Sequence, residues 1–239
     1  MEPSSEPFVA AILLAAGRSS RMGAGLPRKP FLPLRGRSVL EHACQAFEQS
    51  ISVREIVLVA HEDDIPHMVE LRARGVLGLK LAAIVAGGAE RTDSVRAGAR
   101  ALASRAEVVL VHDVARPLVR SARIEAVARA AHESGAAVLA FPVHDTIKRS
   151  RDGRAAHETL DRHELWVART PQGFRHQRLR EMLERAALDG FRPTDDAAIH
   201  ERYFGPVTIV VDEPFNLKLT TPEDLVLAEA FLGAQEPKR

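Results

Sequence analysis

Arg21 closes a run of small residues, Leu13-Leu14-Ala15-Ala16-Gly17-Arg18-Ser19-Ser20-Arg21-Met22-Gly23, and Lys29 follows shortly after in Pro27-Arg28-Lys29-Pro30-Phe31-Leu32. Small residues let a backbone turn tightly, so that successive N–H groups can face an anion. Arginine adds a forked donor that matches phosphate oxygens, and lysine adds a compact point charge. The chemistry these types suit is the holding of a polyanion. The run carries neither G-x-x-x-x-G-K-[ST] nor G-x-G-x-x-G, so it is not either of the commonest nucleotide loops. Taken alone, it also fits an ordinary turn followed by solvated arginines.

Four further segments carry candidate groups. In Gly87-Gly88-Ala89-Glu90-Arg91-Thr92-Asp93-Ser94-Val95, Gly87 and Gly88 permit close backbone approach, and Ser94 sits near a helix start where its hydroxyl can bond a base or ribose. His112-Asp113-Val114-Ala115-Arg116-Pro117 puts a carboxylate at the carboxyl end of a strand, a place suited to holding Mg²⁺ against a triphosphate. An isolated Asp there also serves as a turn cap. Pro142-Val143-His144-Asp145-Thr146-Ile147-Lys148-Arg149 opens a polar stretch that Trp166-Val167-Ala168-Arg169-Thr170-Pro171-Gln172-Gly173-Phe174 closes. The histidines are scattered without metal-ligand spacing, which argues against a zinc site.

The elements that must position these groups alternate in type. Apolar, β-branched runs at Val9–Leu14, Glu55–Ala60, Leu79–Val85, Val108–Val111, Ala137–Pro142, Val207–Val211 and Asn216–Leu219 read as strands. Helix-spaced patterns occupy Val39–Gln49, Asp93–Ala103, Arg123–Ser134 and Arg178–Leu188, and a last helix starts near Thr221-Pro222-Glu223-Asp224. This alternation indicates an α/β fold with a mostly parallel twisted sheet. The polar, Gly153-containing stretch at about 145–165 is expected to be a hairpin arm within a single domain spanning 1–239.

Composition narrows the setting. Lys plus Arg number 33 against 32 for Asp plus Glu, with no block of like charge, so neither nucleic acid nor a membrane surface is an expected partner. The single Cys44 fits a reducing compartment, hence a cytoplasmic protein. Phe8–Ala16 is apolar but is preceded by Glu2 and Glu6 rather than by Lys or Arg, and it falls short of the ~20 residues of a membrane span. It is read as a buried first strand.

The strand, A-A-G loop, R-M and P-K order resembles the nucleotidyltransferases that activate sugars and sugar alcohols, with Ser19 standing where a second Gly is usual. Counting from Arg21 selects Arg28 as the second cation, whereas counting back from Phe31-Leu32 selects Lys29; Lys29 is preferred. Adding G-G-x-x-R-x-x-S-V, H-D-x-A-R-P, D-T-I-K-R, D-R-x-x-L-W, T-P-Q-x-F and the ending at Asn216–Leu225, the chain resembles the 2-C-methyl-D-erythritol 4-phosphate cytidylyltransferase family over about residues 9–232. The resemblance implies a Rossmann-like three-layer nucleotidyltransferase fold, and CTP contacted around Ala15, Ala16, Gly17, Gly88, Ala89, Ser94 and Val114. It implies that Arg21 and Lys29 neutralise the triphosphate, that Asp113 binds Mg²⁺, and that Lys218 joins the catalytic set. Arg116, Thr146, Thr170 and Lys218 match substrate-side positions. Arg162 matches a residue that reaches a neighbouring subunit's site, implying a homodimer through the arm. A family acting on another alditol phosphate, such as ribitol 5-phosphate, looks alike; Lys148 and the L-W-x-x-x-T-P-Q spacing favour methylerythritol phosphate. Some relatives carry a second, cyclase domain; only 234–239 remain beyond the mapped segments, so none is expected here.

Overall fold

Strand β1 (Val9–Ala15) shows how the layers arise. Successive side chains of a strand point to opposite faces. Val9, Ala11, Leu13 and Ala15 enter one hydrophobic cluster and Ala10 and Ile12 the other, so the strand is buried on both faces. Such strands read as continuous apolar runs because helices cover the sheet on each side. The computed structural model describes residues 7–17, 27–103 and 105–235, so Arg21, Ser19, Met22 and Gly23 lie outside the described residues.

A short hairpin, β2 (Pro33–Leu34) and β3 (Arg37–Ser38), follows β1 and leads into α1 (Val39–Gln49). Ser38 Oγ accepts from Glu41 N at 3.2 Å while Glu41 Oε2 accepts from Ser38 N at 2.7 Å, a reciprocal cap that fixes where α1 begins. The chain continues through β4 (Val53–Ala60), α2 (Ile65–Ala73), β5 (Leu81–Ala86), α3 (Arg91–Ala101), β6 (Val108–Asp113), α4 (Ser121–Ser134) and β7 (Ala136–Pro142). The arm follows as a hairpin of β8 (Lys148–Arg149) and β9 (Glu158–Thr159). Then come β10 (Trp166–Arg175), α5 (His176–Leu188), α6 (Asp196–Phe204), β11 (Thr208–Val211) and α7 (Pro222–Gln235).

The main sheet has seven strands in the order β11-β7-β10-β6-β1-β4-β5. All neighbours are parallel except β10, which runs antiparallel to both β6 and β7. One face is covered by residues of α1, α4 and α7, the other by α3, α5 and α6. Close helix approach is built in at Gly98 of α3, where a Cβ would lie 2.5 Å from Ile12 Cγ2. The α/β class and the mostly parallel sheet match the reading of the sequence.

Several expected elements differ. Asn216–Leu219 is not a strand. It is a leg without ladder pairing: Asn216 Nδ2 donates to Thr170 O and Asp212 Oδ2, Asn216 O accepts from Arg116 Nη1, Asn216 N and Leu217 N donate locally to Glu213 O and Phe215 O, and Leu219 N donates to Ala115 O. Leu79 is 94% exposed and precedes β5 rather than starting it. β10 is a full ten-residue strand, hidden in the sequence by its polar residues and by Pro171, which has no N–H for a ladder. α2 and α6 have weak sequence marks: α2 buries only Met68 and so shows no apolar stripe, and α6 is short, Asp196–Phe204.

Candidate active site

The carboxyl ends of β1, β4 and β6 meet the loops that follow them at a cavity of about 560 Å³. This is the edge where open α/β sheets bind ligands. Ala15, Ala16 and Gly17 form one wall, Gly88, Ala89 and Ser94 a second, and Asp113 with Val114 the floor. Lys29 and Lys218 bring cations to the rim, and His61 and Glu62 line the side beyond β4. The glycine at 87 is required by space: a Cβ there would lie 2.5 Å from Ala16 Cβ and 2.8 Å from Ser94 Oγ. Two loops from distant parts of the chain thus approach within one side chain's width.

Ser94 has little freedom left. Its Oγ accepts from Gly88 N at 3.1 Å and donates to Glu90 O at 3.3 Å. A hydroxyl has one donor and two acceptor lone pairs, so what remains for a ligand is a single acceptor position. The loop held by this serine leads straight into α3, whose N-terminal end carries the positive pole of the helix dipole.

Asp113 is the electrostatic centre. Its Oδ2 accepts from Lys218 Nζ at 2.7 Å and its Oδ1 from Arg91 Nε at 3.3 Å. Burial works to raise its pKa, but Arg91 and Lys218 outweigh that and hold the carboxyl well below the usual carboxylate range. Behind it, Asp113 N donates to Thr170 Oγ1 at 3.1 Å, and Thr170 Oγ1 lies 3.1 Å from His112 Nδ1. His112 Nε2 is 3.1 Å from Arg116 O, an acceptor only, so Nε2 carries the proton and Nδ1 accepts from the threonine. Burial pushes the His112 pKa down to about 4, consistent with that neutral tautomer. Among the described residues no group of three His, Cys, Asp or Glu side chains could hold a metal ion. A single ionised carboxylate in a cavity wall suits Mg²⁺, which takes one or two carboxylates and completes its shell with phosphate oxygens and water.

A protein-family model described as 2-C-methyl-D-erythritol 4-phosphate cytidylyltransferase matches residues 9–234. This chain belongs to that family. A 2-C-methyl-D-erythritol 4-phosphate cytidylyltransferase of Syntrophus aciditrophicus is 39% identical over 231 residues, covering 97% of this chain and 98% of the other. One from Halalkalibacterium halodurans is 43% identical over 225 residues, covering 94% and 97%. Among solved structures, the Thermus thermophilus cytidylyltransferase has a TM-score of 0.78 at 34% identity, covering 94% of this chain and 98% of that one. The 4-diphosphocytidyl-2C-methyl-D-erythritol synthase of Anaerococcus prevotii has a TM-score of 0.83 at 29% identity, covering 95% and 97%.

Of the residues the cytidylyltransferase resemblance singles out, Ala15, Ala16, Gly17, Lys29, Gly88, Ala89, Ser94, Asp113, Val114 and Lys218 line the one cavity. Arg28, the competing choice for the second cation, instead pairs with Asp63 Oδ2 at 2.6 Å and Asp64 Oδ2 at 3.3 Å. Arg116 and Thr170 are buried behind the Asp113 floor. Arg116 Nη1 donates to Asn216 O, and burial pushes its guanidinium down to about 10, still fully charged at neutral pH. Thr146 and Arg162 are on the arm and exposed. Arg162 Nη1 donates to His144 O at 2.8 Å and lines a separate hollow of about 380 Å³ with Trp166 and Leu165. Sequence reasoning assigned no role to Arg91 or Asp196, although Arg91 lay inside a quoted motif.

His112 also sets a pH signature. Its folded pKa lies below its unfolded value of about 6.5, so between pH 6.5 and pH 4 the unfolded chain binds the extra proton and stability falls as pH falls. The full swing corresponds to roughly 3 kcal/mol. Urea unfolding of wild type and His112→Gln across that window should show a shallower pH dependence in the variant; equal slopes would contradict a buried neutral imidazole.

Proposed function

We infer that this chain transfers the cytidylyl group of CTP to 2-C-methyl-D-erythritol 4-phosphate, releasing pyrophosphate, with Mg²⁺ bound, as a cytoplasmic homodimer. The observation that carries this reading is the convergence of Lys29, Lys218 and the ionised Asp113 on a cavity walled by two backbone loops, in a chain of this family. No helix among the described residues is long and apolar enough to cross a membrane.

The substrate's phosphate oxygen attacks the α-phosphorus of CTP. A new P–O–P linkage forms, the bond from the α-phosphorus to the bridging oxygen breaks, and its electron pair leaves with pyrophosphate. A phosphate monoester is already an anion near neutral pH, its second pKa being about 6, so no general base is required. The task is to bring two polyanions together and spread negative charge as it develops, which is the work of fixed cations. Lys29 and Arg21 would neutralise the triphosphate from the nucleotide loop. Lys218 would hold Asp113 while facing the incoming phosphate; its side chain is 43% exposed. Asp113 would hold Mg²⁺, which when bound supplies charge neutralisation at the phosphates.

The base would lie between the Ala15–Gly17 and Gly88–Ala89 backbones. The acceptor position left on Ser94 Oγ suits the exocyclic amino group of cytosine and offers nothing to the carbonyl that uracil has there. Arg116 and Thr170 would shape the alditol end through the Asp113 floor, and Thr146 and Arg162 would reach the site of the second subunit.

Lys29→Ala should lower turnover by about a hundredfold or more, the scale of losing a transition-state donor. Arg28→Ala, which among the described residues removes the contacts to Asp63 and Asp64, should leave turnover nearly intact. Steady-state pyrophosphate release decides between them, and the reverse ranking would move the cation to Arg28. For the dimer, sedimentation at micromolar concentration should give about twice the chain mass, 26.2 kDa; a clean monomer would remove Arg162 from any neighbouring site.

A further inference from the structure

Asp196 is the first residue of α6 and has 0% exposure, yet nothing in the reaction as described uses it. Its Oδ2 accepts from Arg91 Nη1 at 2.7 Å. Asp196 Oδ1 and Arg91 Nη2 are buried without a hydrogen-bond partner among the described residues. The start of α6 does not need this carboxylate for capping. Asp195 Oδ1 accepts from Ala198 N at 3.1 Å, and Gln172 Oε1 accepts from Asp196 N at 3.1 Å and Ala197 N at 2.8 Å. The Asp196 side chain therefore acts on Arg91 and on little else.

Arg91 lies between two carboxylates. It holds the buried one at 2.7 Å and reaches the cavity carboxylate, Asp113, only through Nε at 3.3 Å. A guanidinium prefers two parallel bonds to one carboxylate. Without Asp196, the carboxylate within reach for such a pair is Asp113. That pairing would engage the group placed to hold a divalent cation, and would leave Arg91 and Lys218 facing one acid instead of two. Outer partners of this kind orient metal ligands, and their loss costs about 10–100-fold in metal affinity.

We propose that Asp196 is a positioning residue that draws Arg91 back from Asp113, so that Asp113 can accept a divalent cation together with the nucleotide. This rests on the functional reading above and concerns how its metal and CTP sites are coupled.

The test is calorimetric CTP binding to the full chain, in EDTA and in Mg²⁺, for wild type and Asp196→Asn, which keeps the shape and removes the charge. In EDTA the variant should bind CTP about as tightly as wild type, since Asp196 is buried and does not line the cavity. The enhancement on adding Mg²⁺ should fall by on the order of tenfold. Loss of affinity by the same factor in both conditions, or no change in either, overturns the proposal and leaves Asp196 a packing residue. The double variant Arg91→Gln/Asp196→Asn removes both charges of the buried pair, so it serves even if the single variant does not fold. Because Arg91 itself helps hold Asp113 ionised, the double variant is read against Arg91→Gln alone: with the competing guanidinium gone, adding Asp196→Asn should leave the Mg²⁺ enhancement of Arg91→Gln unchanged, and a further loss overturns the proposal. A wild-type chain that binds no CTP in either condition defeats the functional reading itself, and this proposal with it.

Discussion

The contact between Asp113 and Lys218, 2.7 Å long and spanning 105 residues of sequence, is the constraint on which the site depends. It joins the end of β6 to the leg that precedes α7, and the adjacent bond from Leu219 N to Ala115 O adds a second tie to that junction. Through Arg91 the same carboxylate is tied to the first turn of α3, and so to the loop whose backbone Ser94 holds. Three segments remote in sequence are thereby fixed against one charge. A carboxylate this deeply buried persists as an ion only because it has such partners, since an unpaired buried charge is costly.

Support for that centre comes from behind, through the one antiparallel strand of the main sheet. Pairing in β10 shifts register between Ala168 and Gln172, and Thr170 and Pro171 at the break are buried. Thr170 reaches the Asp113 backbone and His112, while Gln172 caps the start of α6, where Asp196 sits. Irregular strand segments next to active sites commonly re-aim side chains in this way. The chain leaving the arm enters β10 directly, so the exposed hairpin and the buried floor are consecutive in sequence.

Much of this was legible in the residues. β1, β4, β6 and β7 announce themselves as apolar runs because strands buried on both faces admit little else, and α1 carries its cap in Ser38 and Glu41. The small-residue loop and the strand-end Asp113 were read from type and position and Lys218 came only from the resemblance; Ala15–Gly17, Asp113 and Lys218 line one cavity. What escaped were features without a local signature. β10 is polar and interrupted by Pro171; the 216–219 leg alternates like a strand but bonds to local turns and side chains instead of a ladder. Arg91 and Asp196 are 105 residues apart, and no periodicity marks a buried pair that forms only once α3 and α6 flank the same sheet edge. The preference for Lys29 over Arg28 had no sequence argument beyond counting, whereas the Asp63 and Asp64 partners of Arg28 follow from the placement of the turn after β4.

The central claim is that this cavity joins CTP to one alditol phosphate, and the most direct measurement is pyrophosphate release with Mg²⁺. CTP is offered with methylerythritol phosphate and with ribitol 5-phosphate in parallel, and ATP, GTP and UTP replace it as controls. The account predicts rapid release for CTP with methylerythritol phosphate alone. Preference for ribitol phosphate, or silence with both alditols despite measurable CTP binding, would contradict it.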